Sequence, residues 1–211
     1  MSADHRHAVR GPFNAWFLGA IDGVMHRIYG ERKLRLLGRV PPTVVEIGAG
    51  AGANFRYYPD GTKIVAVEPS VHMHERLRAA AARHGHELEI RGLRGEALDL
   101  ETGSADLVVA TLVLCTVDDP RAVLAEIRRI LAPGGRYVFI EHVAAEAGSA
   151  LRTLQNAVTR PWCWIFEGCH PNRDTAAALE GAGFASLALE RFRVVSPFVP
   201  TIPQIAGVAV R

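Results

Sequence analysis

Short apolar runs alternate with helical patterns along the chain. β-branched and apolar runs predict strands at 43–47, 63–67, 87–91, 106–111, 136–141, 185–193 and 205–210. Apolar residues at helical spacing predict helices at about 53–58 and at 70–84, 119–131, 149–159 and 174–181. Residues 107–110 are apolar at every position, which is typical of a strand buried on both faces of a parallel sheet. The alternation therefore predicts a doubly wound α/β fold.

A regular apolar stripe precedes the first strand. It consists of Phe13, Trp16, Phe17, Ala20, Ile21, Val24, Met25 and Ile28, which share one face of a helix. We predict that this helix packs on the domain and that Trp16 and Phe17 cover the substrate side of the site. A helix lying in a membrane surface is the alternative, and the small number of cations on its polar face argues against it.

Residues 43–54 run from a strand into a turn with glycine at 48, 50 and 52. Glycine lets the backbone curl back and press against a ligand, so this turn is a candidate cofactor site. Glu68 ends the next strand, about 20 residues further on, where an acidic side chain can bind both hydroxyls of a ribose. The pattern predicts a nucleoside cofactor, with a glycine turn that binds no ligand as the alternative.

The spacing of the turn favours one cofactor. Its third glycine comes one residue earlier than in the dinucleotide motif, and Glu46 lies two residues before Gly48. A carboxylate there would repel a pyrophosphate but can accept hydrogen bonds from an ammonium group. S-adenosylmethionine carries such a group, and the segment resembles the first motif of the class I S-adenosylmethionine-dependent methyltransferases.

That resemblance implies a seven-stranded, mostly parallel Rossmann-like sheet with helices on both faces and an antiparallel last strand. It also implies a set of cofactor-binding residues. The resemblance places Gly95, Glu96 and Ala97 beside the adenine, Met73 against the purine face or in the core, and Thr111, Leu112 and Val113 beneath the methionine part. Ala49, Asn54 and Pro69 complete the predicted cofactor set, together with Glu46, Gly48, Gly50, Gly52 and Glu68.

Several separated motifs narrow the resemblance. Residues 48–55, 111–115, 131–135, 141–143 and 168–169, with Arg173, are similar to the methyltransferase-like protein 7 family, the alkyl thiol methyltransferases of vertebrates. The similarity extends from about residue 40 to the C-terminus. It implies methyl transfer to a small hydrophobic thiol. The vertebrate proteins carry an N-terminal membrane anchor that this sequence does not show, so we do not expect membrane residence.

Composition and charge agree with a soluble enzyme. The 211 residues are 49% hydrophobic, so we predict one domain, with a lid at 1–35, a cofactor half at 40–145 and a substrate half at 146–211. The net charge is +2 and the arginines are scattered, which argues against a nucleic-acid partner. Three cysteines without a secretory signal favour a reducing, cytoplasmic location. No apolar stretch reaches the ~20 residues of a membrane span, and nothing indicates the oligomeric state.

Methyl transfer to a thiol makes a dedicated base optional, because a thiol ionises near neutral pH. His142, just past the fifth strand, is the candidate for deprotonating or orienting the acceptor, with a structural histidine as the alternative. The predicted substrate-side residues are Cys115, Trp162 and His170, besides Trp16 and Phe17.

No metal is predicted, since Cys163, Cys169 and His170 lack a paired C-x-x-C spacing. All three cysteines are interpreted as small apolar residues, because the sequence places no base beside Cys115. Two other functions remain open: methyl transfer to oxygen, nitrogen or carbon, and a protein that binds the cofactor without transferring its methyl group.

Overall fold

A computed structural model describes residues 10–195 and 201–211. The helices are α1 (Arg10–Leu37), α2 (Val71–Arg83), α3 (Pro120–Ile130), α4 (Ala150–Ile165) and α5 (Thr175–Glu180). The strands are β1 (Thr43–Ile47), β2 (Lys63–Val67), β3 (Glu87–Arg91), β4 (Ala105–Thr111), β5 (Leu131–His142), β6 (Ser186–Val194) and β7 (Ile202–Val210).

All seven strands form one sheet in the order β3-β2-β1-β4-β5-β7-β6. The first five are parallel to one another, and β7 runs antiparallel to both of its neighbours. The predicted fold class is confirmed. Strand order reverses between β1 and β4, and ligands of such sheets bind at that point, beyond the carboxyl ends of the strands.

The core lies on both faces of the sheet. Side chains of a strand alternate between its two faces, so Leu107 and Val109 pack on the side of α2 while Val108 and Ala110 pack on the side of α3. The β4 residues in both groups are buried. This two-sided burial explains the uninterrupted apolar run in the sequence.

Three predicted elements show the largest differences from the structure. The helix predicted at about 53–58 is only a 3-10 turn, Phe55–Tyr57, because the glycine turn uses the preceding residues. The helix predicted at 149–159 continues through Pro161 to Ile165. Strand β5 begins at Leu131 rather than at 136, with a register shift that absorbs the glycine pair at 134–135.

Helix α1 is anchored by its second half. Tyr29, Lys33 and Leu37 are buried, and Glu190 of β6 accepts a 2.7 Å hydrogen bond from Arg32. In the first half, Trp16 is 60% exposed, and the side chain of Phe17 lies outside the described residues. Within 10–195 and 201–211, no helix has the length and apolar character needed to cross a bilayer.

Candidate active site

A cavity of about 400 Å³ opens where the strand order reverses. The glycine turn forms its floor and α1 its roof, and the start of the loop after β4 closes one side. Among the predicted residues, Gly48, Ala49, Gly50, Gly52, Asn54, Thr111 and Leu112 line it. Several other lining residues were not predicted from the sequence, including Asp22, Met25, Tyr29, Lys33 and Ile140. Those of α1 lie on one helix face, which is the signal that could have revealed them.

The turn itself requires glycine. Gly48, Gly50 and Gly52 have φ values of +62°, +55° and +80°. A Cβ at Gly48 would lie 2.5 Å from Cγ2 of Val113, and one at Gly52 would lie 2.8 Å from Cβ of Ala80. The turn therefore packs closely against both the loop after β4 and helix α2, and its backbone faces the cavity.

Glu68 holds the turn from the end of β2. Its carboxylate accepts hydrogen bonds from the backbone N–H groups of Gly50 at 2.8 Å and Ser70 at 2.9 Å. The side chain is buried, and burial raises its pKa. Each oxygen retains a lone pair that these bonds do not use, so the carboxylate can accept further hydrogen bonds from a ligand.

Glu46 lies beneath the turn and is almost fully buried. Its two oxygens accept hydrogen bonds from Asn54 Nδ2 at 2.9 Å and from the Tyr58 hydroxyl at 2.6 Å. Burial raises its pKa to about 7. The buried Lys33 opposes this shift, and burial lowers the pKa of that ammonium group to about 8. The site therefore holds a carboxyl group that ionises near neutral pH.

This burial predicts a stability change with pH. Because the pKa of Glu46 is about 7 when folded and 4.5 ordinarily, the folded state binds the extra proton between these values. Folding stability contributed by this group therefore falls as pH rises from about 4.5 to 7, by on the order of 3 kcal/mol. We expect the Glu46→Gln variant to lack this decrease when its free energy of unfolding is measured by urea denaturation at several pH values in this range.

The matched control is Glu101→Gln, which changes an exposed carboxyl group in the same way. It should leave the pH dependence as in the wild type. If the free energy of unfolding changes with pH in the same way for the wild type and for Glu46→Gln, the raised pKa of Glu46 is contradicted.

The loop after β4 is held by the side chains of Glu141 and Arg173, which were not predicted to contact it. Glu141 is fully buried, and one oxygen accepts hydrogen bonds from the backbone N–H groups of Val113 and Leu114, both at 2.9 Å. The Arg173 guanidinium donates to the carbonyls of Leu114 at 2.7 Å and Val117 at 2.5 Å. These contacts fix the loop that carries Cys115.

Cys115, His142 and Cys169 meet at the carboxyl ends of β4 and β5. His142 Nε2 lies 3.4 Å from the Cys115 sulfur and 3.5 Å from the Cys169 sulfur, and the two sulfurs are 3.8 Å apart. The Cys169 thiol and His142 hold the pKa of Cys115 well below its usual range, although burial opposes them. Both cysteines are buried, as predicted, but the structure places a base beside Cys115 that the sequence did not indicate.

The remaining predicted site residues do not line the cavity. Met73 is buried in the first turn of α2, and Glu96 accepts a 3.0 Å hydrogen bond from the Asp118 N–H. Trp162 lies in α4, beyond the predicted end of that helix, and its indole N–H donates to the Cys169 sulfur at 3.3 Å. His170 donates its backbone N–H to the Cys115 carbonyl at 2.7 Å. Also outside the lining are Trp16, Pro69, Gly95, Ala97 and Val113.

Solved structures similar to this chain share its fold. One is an S-adenosylmethionine-dependent methyltransferase from Thermotoga maritima, described as a possible histamine N-methyltransferase. It has a TM-score of 0.63 and 20% identity over 93% of this chain and 96% of that one. The [4+2]-cyclase SpnF has a TM-score of 0.66 and 17% identity over 92% of this chain and 81% of that one. The fold alone therefore does not select one reaction.

Sequence comparison is more specific. The methyltransferase domain model matches residues 45–139. Thiol S-methyltransferase TMT1B of Homo sapiens is 39% identical over 171 residues, which cover 80% of this chain and 70% of the human protein. The chain is an S-adenosylmethionine-dependent methyltransferase and belongs to the thiol S-methyltransferase family.

Proposed function

We propose that this protein transfers the methyl group of S-adenosylmethionine to the sulfur of a small apolar thiol. The observation that carries the proposal is the cavity, which joins the glycine turn to the apolar side chains of Met25, Leu112 and Ile140. The similarity to a thiol S-methyltransferase supports the choice of acceptor. The three cysteines in the described part of the chain are free, which supports the predicted cytoplasmic location.

The proposed cofactor site follows the carboxyl ends of the strands. We propose that Glu68 binds the ribose and that the glycine turn faces the methionine part, with Glu46 and Asn54 beneath it. The segment at 95–97, with Pro69 and Met73, is proposed for the adenine side. Thr111 supports the methionine end, because its hydroxyl accepts a 3.1 Å hydrogen bond from the same Asn54 amide that donates to Glu46.

Two ionisable groups that line the cavity, Tyr29 and Asp22, do not supply the strong base that an alcohol acceptor needs. An alcohol needs a strong base, whereas a thiol is partly ionised near neutral pH. Burial raises the pKa of Tyr29 to about 12, and its hydroxyl accepts a 2.6 Å hydrogen bond from Gln204. Asp22 is paired with Arg56. Neither group is a free strong base for an alcohol.

The reaction requires little covalent work from the protein. The acceptor thiol loses its proton, its sulfur attacks the methyl carbon, and the bond from that carbon to the sulfonium breaks. The products are a methyl thioether and S-adenosylhomocysteine. The chain's task is to hold the acceptor in line and to exclude water. We propose that His142 acts on the acceptor sulfur and that α1 covers the acceptor as a lid.

Substitution on α1 tests the acceptor side. Met25→Asp places a carboxylate in the apolar wall and is expected to lower kcat/KM for an apolar thiol by about 10- to 200-fold. Because the glycine turn is untouched, the S-adenosylmethionine Kd should change little. The rate of S-adenosylhomocysteine release and calorimetric binding measure the two effects.

Val24→Asp is the matched control, since Val24 is the adjacent residue, is 45% exposed and does not line the cavity. It should retain full activity. Equal loss in both variants, together with flotation of the wild-type protein but not Val24→Asp on liposomes, would instead assign this helix to a membrane surface.

A further inference from the structure

Cys115, His142 and Cys169 come from three separate elements, and we call them the Cys-His-Cys cluster. Cys115 is in the loop after β4, His142 ends β5, and Cys169 follows α4. Both sulfurs are buried, and the three ligand atoms form a triangle with edges of 3.4, 3.5 and 3.8 Å. Each residue can offer one metal-binding atom.

The triangle has the dimensions of one face of a zinc tetrahedron. With Zn–S bonds of about 2.3 Å and a Zn–N bond of about 2.0–2.1 Å, tetrahedral angles place two sulfurs about 3.8 Å apart and a sulfur and a nitrogen about 3.5 Å apart. The sulfur pair here is 3.8 Å apart, and the sulfur–nitrogen distances are 3.4 and 3.5 Å. One ion can therefore contact all three atoms with shifts of only about 0.1 Å.

A disulfide and a nucleophile–base pair both fit these distances less well. A disulfide requires its sulfurs at about 2.05 Å, much closer than the 3.8 Å between Cys115 and Cys169. In a nucleophile–base pair the imidazole nitrogen serves one thiol, whereas Nε2 of His142 is nearly equidistant from two. Nearly equal distances to two sulfurs are expected when all three atoms share a central ion.

We propose that the Cys-His-Cys cluster binds one zinc ion and leaves the fourth coordination position open. In the part of the chain that the structure describes, no fourth Cys, His, Asp or Glu joins the group. Three protein ligands with an open position are typical of catalytic zinc sites, whereas structural sites have four. Binding displaces the thiol protons to solvent, because the ligands are thiolates and a neutral imidazole.

The surroundings hold the ligands in place. Glu141 fixes the backbone just before Cys115, and Arg173 binds the Leu114 carbonyl. The Trp162 indole N–H donates to the Cys169 sulfur at 3.3 Å. Such outer contacts orient metal ligands and stabilise thiolate charge. This role for Trp162 differs from the predicted direct contact with substrate.

None of the three cluster residues lines the cavity, but a chain of contacts leads from His142 to it. His142 pairs with Gln204 of β7, and Gln204 donates a hydrogen bond to Tyr29, which lines the cavity. Resting on the proposed function, we assign the open position to the acceptor sulfur. A thiol that coordinates the ion loses its proton to solvent, and the resulting thiolate then attacks the methyl carbon of S-adenosylmethionine.

Zinc content tests the site without measuring activity. Purified protein is stripped with a chelator, reloaded from a zinc buffer and analysed by mass spectrometry, and a parallel sample is loaded with Co²⁺. We expect about one zinc ion per chain and, with Co²⁺, a thiolate charge-transfer band with intense tetrahedral visible bands. Cys115→Ser, Cys169→Ser and His142→Ala should lose most of the zinc.

Cys163→Ser is the matched control. Cys163 lies near the cluster and donates to the Cys169 carbonyl at 3.0 Å, a bond that serine can also make. This variant should keep the metal, and S-adenosylmethionine binding by each variant checks that it is folded. The site would be overturned if the reloaded wild type held no zinc, or if Cys163→Ser lost as much zinc as the ligand variants. A Cys115–Cys169 disulfide in protein that takes up no zinc would also overturn it.

The same samples separate the site from the proposed function. Thiol methylation by protein that binds no zinc would refute the metal site and leave the proposed function standing. Zinc binding by protein that methylates no thiol would support the site and refute its assigned acceptor.

Discussion

His142→Ala is expected to lower the rate of thiol methylation by about 10²- to 10⁴-fold while leaving the S-adenosylmethionine Kd within about twofold. We propose that the imidazole acts on the acceptor sulfur, and its Nε2 lies 3.4 Å from the Cys115 sulfur and 3.5 Å from the Cys169 sulfur. Its removal takes away the group that we place nearest the acceptor sulfur, and the glycine turn on β1 is untouched. Single-turnover rates with labelled cofactor measure the loss.

His72→Ala is the control, because His72 lies on α2 and does not line the cavity. It should keep wild-type rates. A second variant, His142→Cys, supplies another zinc ligand and should recover part of both the zinc content and the rate. Full activity of His142→Ala on an apolar thiol would show that the histidine is structural and would remove it from the reaction.

Glu68→Ala is expected to weaken S-adenosylmethionine binding by about 10- to 150-fold, which corresponds to about 1.5–3 kcal/mol for hydrogen bonds to a charged group. The substitution removes the proposed acceptor of the ribose hydroxyls. It also releases the Gly50 N–H, which this carboxylate binds at 2.8 Å. Calorimetry measures the affinity, and Glu87→Ala, an exposed glutamate at the start of β3, is the control.

A cofactor analogue separates the two effects of Glu68. An S-adenosylhomocysteine analogue lacking both ribose hydroxyls should bind wild-type protein more weakly than the parent compound. The Glu68→Ala variant should barely distinguish the two ligands, since the group that reads the hydroxyls is gone. If the variant loses affinity yet still discriminates between them as the wild type does, then Glu68 only supports the turn.

The sequence pattern predicted the bounds of an element correctly where those bounds depend only on neighbouring residues. The strands at 43–47, 63–67 and 87–91 have the predicted bounds, because turn or polar residues border each run. The helix predicted at about 53–58 is wrong, because the turn with left-handed glycines runs up to Gly52 and leaves only a 3-10 turn at Phe55–Tyr57. The predicted end of α4 comes too early, because the residues on both sides of Pro161 stay helical to Ile165.

The site was predictable along β1, β2 and the end of β4, where each strand runs into its turn. Strand ends meet at one edge of a parallel sheet, so the positions of Glu46 and Glu68 followed from the sequence. The positions of Tyr58 and Lys33 beside Glu46 depend on how a turn and a distant helix pack, and no local sequence spacing predicts that packing. Consecutive members of the Cys-His-Cys cluster are 27 positions apart in the sequence, so no short metal motif marks it.

Methyl transfer to sulfur is tested most directly by incubating the protein with S-adenosylmethionine and matched thiols, phenols and amines of similar size. Mass spectrometry then quantifies S-adenosylhomocysteine and the methylated product. We expect an apolar thiol to give its methyl thioether in equal amount to S-adenosylhomocysteine, and the matched phenol and amine to give little product. Methylation of the phenol or amine but of no thiol, or cofactor binding without any methylated product, would contradict the assignment of a thiol acceptor.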